Sequence, residues 1–278
     1  MGFFTKKSNK SELGAAIDKL ASNASVENQK NFAKVLGSYV ENETWVHMPV
    51  HQDGNGYGLK IVESRGKYYA AMCSDKSEFK NEPGFDVMFT DINKLIEPVF
   101  QNDSIAGIVI NPYTSFLCLD KEFLLKCILH AKYPEQKISG SRPRNWGEGI
   151  PSYNKNDLMT IGEIQNFALH TVLDNDEDIA NNFEVVSVCD YPSAIPSVIL
   201  KSEYGFVFVY VKGYSSLTEP SLTPEEKETL LSLGAKYNAE CAFATVGFLS
   251  TDAARFNAEL ALRGDGFYCK YEGLQIVE

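Results

Sequence analysis

The stretch I-P-S-V-I-L-K-S-E-Y-G-F-V-F-V-Y-V-K-G, residues 195–213, decides how the second half of the chain is read. Two runs of β-branched and aromatic residues, Ser197 to Lys201 and Phe206 to Lys212, flank the polar residues Ser202 to Gly205, which is the pattern of a hairpin with a short turn. Upstream, Thr160-Ile161-Gly162-Glu163 is a capping box that opens a helix. Ile161, Ile164, Ala168 and Val172 fall on one face of that helix, and the acidic run Asp174 to Asp178 ends it. Phe183 to Cys189 reads as a strand leading into the hairpin. Downstream, Thr223-Pro224-Glu225-Glu226 is a second capping box with proline at the first helical position, and the helix it starts runs to Tyr237. Glu240 to Leu249 is a buried strand and Thr251 to Leu262 a helical or irregular piece. Phe267 to Tyr271 and Leu274 to Val277 make a short closing pair.

The first part opens with two amphipathic helices. Leu13, Ala16, Ile17 and Leu20 form one apolar stripe, and Phe32, Val35, Leu36, Tyr39 and Val40 a second, both at the spacing of a 3.6-residue period. From Thr44 the period changes to that of strands: T-W-V-H-M-P-V-H, then G-Y-G-L-K-I-V-E-S and G-K-Y-Y-A-A-M-C-S, the last two joined by a turn at S-R-G. A short helix from Asp91 to Glu97 carries Ile92, Leu95 and Ile96 and is expected to be cut by Pro98. I-A-G-I-V-I-N-P-Y is a continuous apolar run, as in a strand buried on both faces. Ser115 to Leu119 is a further strand, and Asp120 caps a helix that buries Phe123, Leu124, Cys127 and Ile128. Residues 132–157 are dense in Pro, Gly, Ser and Asn and read as a linker between an α+β domain at 1–131 and another at 158–278. Each domain mixes helix and sheet layers, the second around a helix, strand, hairpin, helix and strand core. Hairpin, helix and buried strand thus recur in both parts, although their residues do not repeat.

At 278 residues the chain has room for about two domains of the usual ~100 to 200 residues. With 44% hydrophobic and 23% charged residues it has the composition of a globular protein, and no apolar run approaches the ~20 residues of a membrane helix. The start, M-G-F-F-T-K-K, lacks the apolar core of a secretory signal, and Lys6 stands where a myristoylation motif has Ser or Thr, so a cytoplasmic protein is expected. The six cysteines are scattered with no C-x-x-C, which fits small buried apolar residues better than zinc ligands or disulfides. Net charge is −11, of which −2 falls before Lys132 and −9 from Lys132 onward. A half so acidic disfavours a phosphate backbone as partner and favours a basic protein.

Other motifs have plainer explanations. His47 and His51 are four apart but sit in strand-like surroundings around Pro49, so they read as strand histidines and not as a metal pair. Asp53-Gly54-Asn55-Gly56-Tyr57-Gly58 has the glycines of a phosphate cradle, yet it leads into a strand, where such loops lead into a helix, and reads as a hairpin turn. Arg263-Gly264-Asp265-Gly266 reads as a tight turn before the closing strand. Asn111-Pro112 closes a buried strand, and the strand end makes Asn111 a candidate ligand contact. Trp146 is expected to dock on a domain surface.

The blocks F-D-V-M-F-T-D-I-N-K-L-I-E-P-V-F (85–100), S-I-A-G-I-V-I-N-P-Y (104–113) and L-C-L-D-K-E-F-L-L (117–125) together resemble the N-terminal domain of the SseB family. The most telling residues are Phe89-Thr90 and the run Gly107 to Pro112, and the resemblance spans Thr44 to Leu129. It implies a fold more than a mechanism. The second part has the element order of the restriction-endonuclease-like core, whose signature is PD-(D/E)xK. Alignment on the hairpin puts Pro196-Ser197 where Pro-Asp would stand and Tyr210-Val211-Lys212 where acid-x-Lys would stand. Strand alternation sets i and i+2 on one face, so an acid and a lysine there could share a metal-bound water. Hard cations need carboxylate oxygens, which Ser197 and Tyr210 do not supply, and Glu163 as a helix-borne acid would be a single carboxylate.

These readings converge on a non-catalytic cytosolic protein with an SseB-like first domain and a nuclease-like second domain stripped of its acids. No catalytic residue, metal or cofactor is expected, and Glu163, Ser197, Tyr210 and Lys212 would be remnants of a degenerate site. The expected role is protein interaction with a basic partner, in the manner of an inhibitor or immunity protein, with neither membrane nor nucleic acid as partner. The alternative is a small-molecule-binding or hydrolytic enzyme with a site between the domains, lined by residues such as Asn111, Trp146 and Lys212.

Overall fold

Ser11 and Ser25 begin the first two helices by the same device, each side-chain oxygen accepting the amide three residues on, that of Gly14 and of Asn28. The computed structural model describes residues 10–54, 56–132, 158–259 and 261–278. It divides the chain into two units, Met1–Lys132 and Tyr133–Glu278. The structure is α+β, with eight helices and three sheets among the described residues. The expected linker lies outside the described residues from residue 133 onward, and Trp146 with it.

In the first unit α1 (Glu12–Ser22) and α2 (Val26–Glu41) bury the two stripes expected of them, including Leu13, Ile17, Phe32 and Leu36. β1 (Trp45–Asp53), β2 (Gly56–Leu59) and the later β5 (Asp86–Asp91) form a three-stranded sheet in the order β2-β1-β5. The segment read as one strand from Gly56 to Ser64 is two, β2 and β3 (Ile61–Ser64), which lie in different sheets. Lys60 is the joint: its amide donates to the Pro49 carbonyl on β1, while its own carbonyl accepts the Ala71 amide from β4 (Lys67–Met72). The chain thereby changes sheets without leaving a backbone group unpaired. Arg65 and Gly66 turn β3 into β4 with positive φ at both positions, the requirement of a two-residue hairpin loop.

α3 (Asn93–Gln101) continues through Pro98, contrary to the expected break. Proline at the sixth position removes one backbone bond, but Leu95, Ile96, Val99 and Phe100 on either side of it are all buried, and their packing holds the helix. β6 (Ile105–Ile110) then pairs parallel to β4, and β7 (Leu117–Asp120) pairs antiparallel to β6, which completes a sheet in the order β3-β4-β6-β7. Asp120 caps α4 (Lys121–Lys132) through the Phe123 amide at 2.8 Å, as its position in the sequence implied.

In the second unit both capping boxes are present. Thr160 and Glu163 open α5 (Ile161–Asn175), and Thr223 and Glu226 open α7 (Pro224–Tyr237). Ile161, expected on the buried face of α5, is instead 74% exposed, because the first residue of a helix lies beyond the sheet it packs on. The acidic run after α5 also starts a further helix, for Asp176 caps α6 (Glu177–Asn182) through the Ile179 amide. β8 (Glu184–Val188), β9 (Val198–Lys201), β10 (Phe206–Tyr214) and β11 (Ala239–Ser250) follow in sequence and in space. β8, β9 and β10 are antiparallel neighbours, and β11 lies parallel to β10 across α7. After the short α8 (Ala253–Asn257), β12 (Phe267–Tyr271) and β13 (Gln275–Ile276) each pair with β11 and not with one another, which corrects the expected closing pair. β11, twelve residues long, is long enough to hold both end to end.

Candidate functional site

Alternation along β10 sends its side chains to two different helices. Val207, Val209 and Val211 pack with Ile164, Phe167 and Ala168 of α5 in one core cluster. Phe208 meets Tyr237 of α7, and Tyr210 and Lys212 meet Glu226 at the start of α7. The sheet is therefore sandwiched, with α5 on one face and α7 on the other. Gln165, 3% exposed, straps α5 to the strand: its Nε2 donates to the Val211 carbonyl at 2.8 Å and its Oε1 accepts the Gly213 amide at 3.0 Å. Nothing in the sequence marks this glutamine, since its position on an otherwise apolar face is visible only once α5 is set on β10.

The Lys212 ammonium lies 2.6 Å from Glu226 Oε2 and also donates to the Ser221 carbonyl at 3.0 Å. Tyr210 donates its hydroxyl to Glu226 Oε1 at 3.1 Å. Burial by itself would push the Glu226 carboxyl up, but the Lys212 ammonium, the Thr223 amide and hydroxyl and the Tyr210 hydroxyl outweigh it and hold the group below the ordinary glutamate range. The predicted positions 210 and 212 thus converge on a carboxylate that the sequence presents as a helix cap.

Ser197 and Glu163 do not join them. Ser197 is fully buried just before β9, following the cis Ile195–Pro196 peptide, and its hydroxyl donates to the Ala194 carbonyl and accepts the Val211 amide. It ties two segments of backbone together. Glu163 belongs to the α5 face of the sheet, opposite Lys212, and its two oxygens take the Arg263 guanidinium at 2.8 and 3.0 Å together with the Thr160 amide. Burial raises its pKa, and Arg263 with the cap lowers it further than that, to a net depression. Among the described residues no three His, Cys, Asp or Glu side chains are gathered as metal ligands. The donor set beside Lys212 is one carboxylate and one phenol, which is poor in charge for a hard cation.

Asn111 belongs to the first unit and has positive φ. Its side chain accepts the Ser74 amide at 2.8 Å and donates to the Ser74 hydroxyl at 3.1 Å, while its own carbonyl accepts the Thr114 and Phe116 amides. It locks the ends of the parallel strands β4 and β6, the strand-closing role, and both ends of its amide are engaged there. Trp146, the other candidate ligand contact, lies outside the described residues.

His47 and His51 point the same way from β1 but are four strand residues, about 13 Å, apart, beyond a shared ion. His47 stacks on Phe89 at 4.6 Å and burial lowers its pKa, while His51 meets Phe85 edge-on at 5.7 Å. Gly54 turns β1 into β2, with Asp53 paired to Gly56, so the glycine-rich stretch is a hairpin turn there, though Asn55 lies outside the described residues. In the 263–266 turn both charged side chains are engaged, Arg263 by Glu163 and Asp265 by Arg255 at 2.6 and 2.7 Å.

A groove of the second unit, about 1220 Å³, lies at the end of the sheet where the β9–β10 turn, the start of β11 and the Glu272–Leu274 loop meet. Its acids are Asp176, Asp178, Glu203, Glu240 and Glu272, and no Lys or Arg lines it. Tyr204, at the tip of the turn, is 91% exposed, and Ile276 on another wall is 65% exposed. Asp176 is engaged by the Tyr271 hydroxyl and by its own helix cap, whereas Asp178, Glu203 and Glu240 stand exposed. These acids come from four separate segments, the start of α6, the β9–β10 turn, the start of β11 and the loop after β12, which is why the sequence shows their sum as net charge and not their meeting.

Residues 162–277, less than half of the chain and wholly within the second unit, match the model of a family described as a domain of unknown function, DUF8840. No curated protein and no solved structure matches the chain.

Proposed function

We propose that the chain is a non-catalytic, cytosolic interaction protein, with an SseB-like first unit and a nuclease-like second unit whose former reactive corner has become structural. The observation that carries this reading is the groove at the sheet end: five carboxylate residues, no cationic residue, and an aromatic side chain held out in solvent at Tyr204. Such a surface complements an extended basic segment of another protein, with the carboxylates meeting Lys or Arg and Tyr204 stacking on an arginine plane or an alkyl stem. The state of Lys212 supports the same reading, since its charge is met by Glu226 and Tyr210 bonds the same carboxylate, while the Ser197 hydroxyl is spent on backbone groups elsewhere. The helix, three antiparallel strands, helix and parallel strand of the second unit follow the order that the nuclease resemblance implies. Six free cysteines accord with a reducing compartment.

The test is titration of the full chain with a labelled arginine- and lysine-rich peptide, read by fluorescence anisotropy at low and physiological salt. Saturable binding that weakens at least tenfold in the Glu203→Lys, Glu240→Lys double variant supports the groove as the site. Binding that is absent, or unchanged by the reversal, overturns it. Both residues are exposed, so the variant folds as the wild type does.

A further inference from the structure

A second groove, of about 510 Å³, lies in the first unit and differs in character from the acidic one. One wall is β7: Leu117, Cys118, Leu119 and Asp120 all line it. Successive strand residues point to opposite faces of a sheet, and Cys118 indeed packs with the Tyr69, Ala71 and Val109 cluster. A groove touched by four residues in a row therefore runs along the edge of the strand and not over a face.

That edge is open among the described residues. β7 is the last strand of its sheet and pairs there with β6, so half of its N–H and C=O groups face β6 and the other half face the groove. Neither lysine nor proline interrupts Leu117 to Asp120, so those two devices that blunt an edge are missing from this short one. The opposite wall is apolar, made by Ile17, Leu20 and Ala21 of α1 with Phe32 and Phe123. Asp120 is the one charged lining residue, and its carboxylate is already engaged in capping α4.

We propose that this groove is a β-augmentation site: an extended, uncharged, apolar segment of a partner polypeptide adds as a fifth strand beside β7, antiparallel or parallel, and presses alternate side chains against α1. The row of outward N–H and C=O groups is matched by a main-chain partner, and an acyl chain or a small apolar ligand offers nothing to pair with it. The neutral lining requires an uncharged segment. Four paired residues span about 13 Å of edge, a length matched to a short linear motif. This site is independent of the acidic groove, and failure of either leaves the other standing.

The experiment is selection of linear decapeptides from a displayed library on the full chain, with counter-selection on Leu20→Glu. Enriched peptides are then synthesised with two complementary patterns of alternate N-methylated amides. Strand addition predicts alternating apolar residues in the peptides and at least a tenfold loss of affinity with one N-methyl pattern but not the other. It also predicts loss of binding to Ala21→Glu, a variant at an exposed position whose fold is checked by its thermal unfolding. Equal effects of the two patterns would reduce the site to an apolar ligand pocket and overturn the proposal. So would failure to enrich any peptide over Leu20→Glu, or self-association of the wild type through this groove that Leu20→Glu abolishes.

Discussion

The Lys212 ammonium and the Glu226 carboxylate, fourteen residues apart, meet at 2.6 Å with side chains 17% and 23% exposed. The pair joins the end of β10 to the first turn of α7, and Glu226 serves the ion pair and the helix cap together. Glu226→Gln keeps an acceptor for the cap and removes the charge. It should cost about 1–3 kcal/mol near neutral pH, less than a wholly buried pair because water still reaches both groups. The folded pKa of Glu226 is depressed, so its contribution is complete above the unfolded value of about 4.3 and is lost as pH falls through the folded value. Urea unfolding should therefore show a steeper acid loss of stability in the wild type than in Glu226→Gln. Equal slopes would mean that the carboxylate is not held below its ordinary range.

The same geometry bears on nuclease activity. One carboxylate and one phenol beside Lys212 leave too little negative charge to assemble a two-oxygen metal clamp, so a labelled DNA duplex should remain intact in magnesium or manganese. Metal-dependent cleavage that disappears in Lys212→Ala would refute the reading of this corner as structural.

Gly37 sets the approach of α2 to α4. A methyl group there would lie 2.2 Å from the Cys127 carbonyl oxygen and 2.5 Å from the Ala131 side chain. Alanine would improve helix propensity by about 1 kcal/mol, but forcing two helices apart costs about 1–3 kcal/mol. Gly37→Ala should be destabilising by up to about 2 kcal/mol on balance, seen as a lower urea midpoint at unchanged slope. A midpoint at or above the wild-type value would show that the helices separate without cost.

Thiol chemistry separates the cysteines by burial. Cys73 and Cys127 are buried, and desolvation pushes both thiols up to about 12. Near pH 8 a disulfide-exchange reagent should leave these two unmodified in the native protein and react with them after unfolding, as mass spectrometry of digested samples would report. Rapid native labelling of Cys127 would show that α4 opens far more readily than its packing implies.

The elements legible in the sequence were those with a local cause. Both capping boxes, the Asp120 cap and the apolar runs of β6 and β11 follow from short-range chemistry, and they stand where periodicity put them. Pro98 and the Gly56–Ser64 segment were misread because their outcome depends on neighbours far along the chain: the core that holds α3 together, and the two different strands that pair with either side of Lys60. Of the site residues, spacing alone placed Tyr210 and Lys212 on one face, since alternation on a strand is a local rule. It could not reveal Glu226 as their partner, nor Gln165 as the strap on the backbone of Val211 and Gly213, nor show that Glu163 is spent on Arg263 across the sheet.

By itself the sequence determined an α+β chain with its helix starts, its buried strands and a strongly acidic second half, because propensity, capping and net charge are properties of neighbouring residues or of simple sums. Tertiary structure decided what those charges do. Packing α5 and α7 on opposite faces of one sheet sends Glu163 and Lys212 to different partners, and the meeting of four segments at the sheet end turns scattered acids into a single groove. Both outcomes rest on contacts between residues distant in the chain, which no local pattern encodes.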